Sequence, residues 1–174
     1  MTTWTTIYAS PIGPLTLYAN EKGLSGLHFE GSRPPASGER AEEDRGRFKR
    51  AIQQLDEYFA GEREIFDLPL ALAGTPFQLS VWQALRTIPF GETWSYGELA
   101  KTIGNPKGMR AVGLANGRNP IAVIVPCHRV IGADGSLTGF GGGLPRKRFL
   151  LELEKRDFRL VAQHDRAGAT VSQR

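Results

Sequence analysis

Disulfide bonding within the chain is excluded at the outset, because its 174 residues include a single cysteine, Cys127. One thiol can neither close an internal bridge nor build a thiolate metal cluster, which leaves packing or nucleophilic chemistry as its uses. Long apolar runs are also missing, so no segment is expected to span a bilayer. The start, Met1-Thr2-Thr3-Trp4, lacks the charged-then-apolar pattern of a signal peptide. With a free thiol, these absences point to a reducing intracellular compartment, the cytoplasm, and away from any membrane partner. No metal and no cofactor is expected.

What is present is unevenly charged. Residues 1–75 carry 8 basic and 11 acidic side chains, whereas residues 76–158 carry 11 and 6, so the overall +4 is concentrated in the half that holds Cys127. A basic half is often no more than a solvated surface, yet it also suits a polyphosphate partner.

The pattern of elements predicts an α+β fold. Thr5 to Ser10, Leu15 to Asn20 and Leu24 to Glu30 are short β-branched or alternating stretches separated by Pro-Ile-Gly and Glu-Lys-Gly turns, which reads as an antiparallel meander. After a loop at Gly31 to Gly38, Phe48, Ile52, Leu55 and Phe59 recur at helical spacing, and Glu64 to Leu70 reads as a strand returning to the sheet. This N-terminal α+β domain spans residues 1–74. A mostly helical domain, 75–158, follows, and the polar tail 159–174 is expected to be mobile.

Caps mark the helices of the second domain. Thr75-Pro76-Phe77-Gln78 and Ser95-Tyr96-Gly97-Glu98 are both capping boxes, the first with proline at the first helical position. They predict helices from Thr75 to about Thr87 and from Ser95 to Gly104. Asn105-Pro106 is read as the cap of a third, ending at Gly117. The last two form a helix-turn-helix pattern, which is more often structural than DNA-binding. Small residues in the third helix, with Lys107 and Arg110 beside them, would let a backbone approach a narrow groove closely while cations meet phosphate.

Cys127 follows Ile121-Ala122-Val123-Ile124-Val125-Pro126, an apolar segment that reads as a buried strand, and precedes His128-Arg129-Val130. A free thiol has a pKa of about 8.5 and needs help to ionise. Neighbours in an extended chain point to opposite faces, so His128 would reach the sulfur only through water or after a sharp turn at Pro126. From Cys-His adjacency alone, an inert buried cysteine is the leading reading.

The longer motif reverses that balance. Pro126-Cys127-His128-Arg129-Val130-Ile131 is preceded by Ile88-Pro89-Phe90-Gly91-Glu92-Thr93, by Ser95 to Ala100, by Gly104-Asn105-Pro106, by Arg110-Ala111-Val112-Gly113 and by Asn119-Pro120. Thr138-Gly139-Phe140-Gly141-Gly142-Gly143-Leu144 and a helix ending near Glu154 come after it. This ordered set, from about Thr75 to about Arg156, resembles the O6-alkylguanine-DNA alkyltransferases, and Ser10-Pro11-Ile12-Gly13-Pro14-Leu15 extends the likeness more weakly toward the N-terminus.

The resemblance implies direct DNA repair. An alkyl group on guanine O6, and by extension thymine O4, would pass irreversibly to Cys127 after the nucleotide is flipped from the duplex. His128 would be the base, acting through water, with Glu154 orienting it; Tyr96 would donate to guanine N3, and Asn119 would brace the hinge. Arg110 would fill the gap in the duplex, on a helix that meets the minor groove through Lys107, Ala111 and Gly113. Pro126, Val130, Phe140 and Gly141 would line the pocket, with the carbonyls of Cys127 and Val130 accepting from the guanine amino group and the Gly141 N–H facing O6. Arg129 is expected in a structural ion pair.

Gly141 stands where a larger or hydroxyl-bearing residue is often found in that family, which implies a roomier pocket. Met109 and Trp94 are bulkier than usual for their places. The partner implied is double-stranded DNA carrying O6-alkylguanine, met by a chain that is monomeric in solution, with cooperative assembly on DNA left open. Because a thioether has nothing here to cleave it, each molecule would act once, and the alkylated form, overpacked, would be less stable. Two other classes remain at this point: a cysteine hydrolase, which would turn over, and a non-catalytic protein that binds alkylated DNA.

Overall fold

The structure, a computed structural model, describes residues 1–32 and 40–155. The expected mobile tail lies outside the described residues. Strands β1 (Trp4–Ser10), β2 (Gly13–Asn20) and β3 (Gly23–Phe29) form the antiparallel meander. The two-residue β4 (Glu42–Glu43) adds in parallel to β1, giving the order β3-β2-β1-β4. Gly13 and Gly23, at φ +100° and +145°, make the two hairpin turns that an L side chain would strain. Helix α1 (Lys49–Phe59) follows the buried Phe48 and lays Ala51, Leu55 and Tyr58 into the core, a face turned by about one residue from the predicted stripe, of which Ile52 and Phe59 are only partly buried.

Residues 64–70 do not form the expected strand. Gln54 of α1 takes both backbone groups of Asp67, accepting from its N–H at 2.8 Å and donating to its carbonyl at 3.0 Å, and Pro69 has no N–H to offer a ladder. Pairing shrinks to a single bridge between Leu70 and Leu24.

Both capping boxes are present. Thr75 and Gln78 cap α2 (Pro76–Leu85) reciprocally, and Ser95 and Glu98 do the same for α3 (Tyr96–Thr102). Helix α4 (Met109–Gly117) starts later than Asn105-Pro106 suggests, because Asn105 to Gly108 closes a turn of its own, with the Gly108 N–H donating to the Asn105 carbonyl at 2.9 Å. Lys107 therefore sits in that turn, ahead of the helix. Trp82 of α2 donates through Nε1 to the Ala115 carbonyl of α4 at 2.9 Å and fixes the pair.

The apolar run 121–125 is a compact loop, not a strand. Asn119 spans it: its Oδ1 accepts from the Ile121 N–H at 3.0 Å and its Nδ2 donates to the Val125 carbonyl at 2.7 Å. Val123 is held at φ +71°, a left-handed conformation that costs a β-branched residue about 1–3 kcal/mol. An apolar run of this length reads alike as strand or buried turn, since periodicity cannot separate them.

Beyond the loop, Cys127–Arg129 is a 3-10 turn, followed by β6 (Val130–Ile131), which pairs in parallel with β5 (Trp94–Ser95) from just before α3, and by α5 (Leu144–Lys155). A contiguous core runs from Leu15, Leu17 and Leu27 of the sheet through Val81, Leu99 and Val112 to Ile121, Val125 and Leu150. The sheet meets the loop directly, with Leu27 donating to the Pro120 carbonyl at 2.9 Å and accepting from Ala122 at 3.2 Å.

Candidate active site

The 3-10 turn settles how a cysteine and the histidine after it divide their work. Cys127 opens on a cavity of about 310 Å³, lined also by Asn116, Asn119, Ala122, Phe140 and Gly141, and from the sheet by His28 and Phe29. His128 points away, fully buried, with Nε2 2.7 Å from Oε2 of Glu154. The sharp turn after Pro126 is therefore present.

Glu154, on α5, is the hub. Its Oε1 accepts from Arg129 Nε at 2.7 Å, and its Oε2 faces three donors: His128 Nε2, Tyr58 Oη at 2.6 Å and Arg129 Nη2 at 3.1 Å. Arg129 also donates to the Ile88 carbonyl at 2.7 Å, so the expected ion pair is present and buried. Burial pushes the Glu154 pKa up, but His128, by its charge when the ring is protonated and by its hydrogen bond, and then Arg129, by both, outweigh it and hold the carboxyl well below its usual range.

An ionised carboxylate only accepts, so the proton of the His128–Glu154 bond belongs to Nε2. In a neutral ring, Nδ1 then carries the lone pair, and Nδ1 is buried with no hydrogen-bond partner among the described residues.

Burial raises the Cys127 pKa, while the Asn119 side chain and the charge of Lys147 pull it back. Lys147 is fully buried on α5, donating to the carbonyls of Val130 at 2.6 Å and Thr138 at 3.2 Å, and burial lowers its own pKa. The thiol is thus shielded at rest, with a cation and an amide placed to stabilise it when it ionises. Asn116 donates to the Cys127 carbonyl at 3.4 Å, and its Oδ1 is buried without a partner among the described residues.

Tyr96 stands at the first position of α3, its hydroxyl 2.7 Å from Thr138 Oγ1 and its ring beside Gly113, where an added Cβ would lie 3.6 Å away. It does not line the cavity, and neither do Pro126 and Val130, which are buried. Gly141 does line it, and a Cβ there would meet nothing within 4 Å. Phe140 is fixed edge-on to Phe29 with ring centroids 5.4 Å apart.

Arg110 and Ala111 are exposed on α4, with Lys107 exposed just before it. Met109 and Leu114 are exposed beside them at 52% and 58%, unusually apolar for a free helix face. Met109 leans over Gly97, its Sδ 3.3 Å from where a Cβ would be.

Tyr58, Lys147, Asn116 and Thr138 escape a reading of the sequence. One signal was available for Lys147. With Leu150, Leu151 and Glu154 it keeps the i, i+3, i+4, i+7 spacing of a buried helix stripe, and a charged residue there needs a partner. Tyr58 simply looks like core.

Residues 76–156 match the family described as 6-O-methylguanine DNA methyltransferase, DNA binding domain, and residues 4–72 match its ribonuclease-like domain. The chain is 56% identical over 149 residues to a methylated-DNA--protein-cysteine methyltransferase of Methanosarcina acetivorans, covering 85% of this chain and 96% of that one. It is 59% identical over 146 residues to the protein of that name from Mycobacterium tuberculosis, covering 84% and 88%. The crystal structure of the M. tuberculosis O6-methylguanine methyltransferase superposes with a TM-score of 0.84 at 54% identity, covering 91% of this chain and 99% of that one. The M. tuberculosis OGT in complex with DNA does so with a TM-score of 0.82 at 56% identity, covering 89% and 93%.

Proposed function

The chain belongs to the 6-O-methylguanine DNA methyltransferase family, and from that premise we propose how its residues repair DNA by moving the alkyl group of O6-alkylguanine onto Cys127. The observation that carries the assignment is the pairing of a buried thiol that lines a cavity with a histidine whose Nε2 is engaged by Glu154 and whose Nδ1 is buried without a partner among the described residues.

Helix α3, the turn at Gly104 to Gly108 and α4 meet the duplex, with Lys107 on phosphate and the small residues Ala111 and Gly113 admitting the backbone to the minor groove. Arg110 enters the stack and occupies the space of the extruded nucleotide. Within the pocket, the Cys127 proton passes through a water to His128 Nδ1, and the imidazolium is stabilised by Glu154. The thiolate attacks the alkyl carbon opposite O6; the S–C bond forms as the C–O6 bond breaks, and that electron pair stays on the base. Tyr96, exchanging its Thr138 partner for N3, donates a proton to the leaving guanine and recovers one by way of His128. Asn119 holds the loop that carries the cysteine. No group near Cys127 cleaves a thioether, so the protein is consumed.

Intact-mass measurement after mixing with duplex DNA bearing one O6-methylguanine, followed by peptide mapping, tests this. One added methyl on the Cys127 peptide, absent in Cys127→Ala, is expected. Tight lesion binding with an unchanged mass would leave a damage-binding protein instead.

A further inference from the structure

Tyr58 lies in α1, 96 positions before Glu154, yet its hydroxyl is 2.6 Å from the carboxylate oxygen that also receives His128. It is 1% exposed. Its ring packs against Phe59 and Phe66 with centroids 5.1 and 5.2 Å away, a setting that a phenylalanine would fill as well. The hydroxyl therefore has no use in the packing, and burying it is tolerable only because it donates to Glu154.

Arg129 grips both oxygens of Glu154 from one side, whereas His128 uses Oε2 alone. The groups facing that carboxylate are thus Tyr58 from α1 and His128 and Arg129 from the 3-10 turn. Arg129 reaches Oε2 only through its longer contact, at 3.1 Å, so without the Tyr58 hydroxyl at 2.6 Å the lone pair that the histidine uses would be held on that oxygen by one long donor. That direction decides where the opposite ring nitrogen, Nδ1, points.

We propose that Tyr58 is a positioning residue for alkyl transfer: by donating to Oε2 of Glu154 it fixes the acceptor that holds His128 as its Nε2–H tautomer, with Nδ1 aimed to take the Cys127 proton. The inference rests on the reading of Cys127 as the alkyl acceptor. It gives the N-terminal half of the chain a part in the chemistry beyond packing.

The test compares Tyr58→Phe with Tyr8→Phe. Tyr8 is a fair control, since it is also buried and its hydroxyl also reaches a carboxylate of α1, Asp56, at 2.6 Å, away from the site. For each protein the single-turnover transfer rate at saturating O6-methylguanine duplex, the duplex Kd, Tm and the imidazole 15N signals of His128 are measured.

The proposal expects Tyr58→Phe to lose about tenfold in rate with Kd within about twofold. The His128 nitrogens should shift from the Nε2–H form toward an average of both tautomers. Tyr8→Phe should lower Tm while leaving rate and His128 signals as in the wild type. A wild-type rate and spectrum in Tyr58→Phe, or equal slowing in Tyr8→Phe, would overturn the proposal alone. So would a wild-type His128 protonated on Nδ1, a result that needs no variant to fold. Failure of the wild type to transfer methyl would overturn the Cys127 reading and this inference together.

Discussion

At Gly141 the cavity beside Cys127 is widened by the want of a side chain, and open space surrounds the position where a Cβ would stand. Gly141→Ser is therefore expected to fold normally and to narrow the pocket. Its rate with O6-benzylguanine should fall relative to O6-methylguanine in the same duplex, and an unchanged ratio would remove Gly141 as the source of tolerance for bulky groups. Glu154 lends itself to a test by pH. Its pKa is lower in the folded chain than in the unfolded one, so its stabilisation is complete above the unfolded carboxylate value of about 4.3 and is lost as pH falls toward the folded value. The wild type should lose stability steeply below about pH 4, and Glu154→Gln, which leaves Arg129 buried without its charge partner, should start about 3 kcal/mol lower with a shallower slope. Denaturant midpoints across that range decide it; equal slopes would place the acid sensitivity elsewhere.

The elements divide by how local their causes are. Strands β1 to β3 and the capped starts of α2 and α3 were legible because alternation, turn glycines and capping boxes act within a few residues. Cys127, His128 and Glu154 were legible through the family resemblance, and the structure joins the last two in one buried bond. Segments 64–70 and 121–125 were not legible, since their shape is set by the side chains of Gln54 and Asn119, which take backbone groups that a ladder would use. Asn119→Ala is accordingly expected to cost about 1–3 kcal/mol, through two lost hydrogen bonds and release of the Val123 conformation, and to slow transfer because the loop carries Cys127. Chemical denaturation alongside single-turnover kinetics measures both. Helix α4 offers a different test. If Arg110 acts by replacing the extruded nucleotide, Arg110→Ala should lower the ratio of transfer from duplex to transfer from free O6-benzylguanine by about tenfold, whereas a role in phosphate contact alone would be offset by lowering the salt.

Across the whole molecule, one core joins the sheet to the site, and the network around Glu154 draws Tyr58, His128 and Arg129 from parts of the chain far apart in sequence. Such long-range joins are what a single sequence conceals most: Tyr58 reads as a packing residue until the fold brings Glu154 to its hydroxyl. The arrangement also explains single use. Cys127 is 6% exposed in a walled cavity, and alkylation fills that space with a group that nothing nearby removes. The most direct test of the account is stoichiometry: protein of known active concentration is mixed with O6-methylguanine duplex in excess, and the restored guanine is counted with time. A plateau at one guanine per protein, matched by one methyl on Cys127, is the predicted result, whereas continued turnover would contradict it and return the site to the class of cysteine hydrolases.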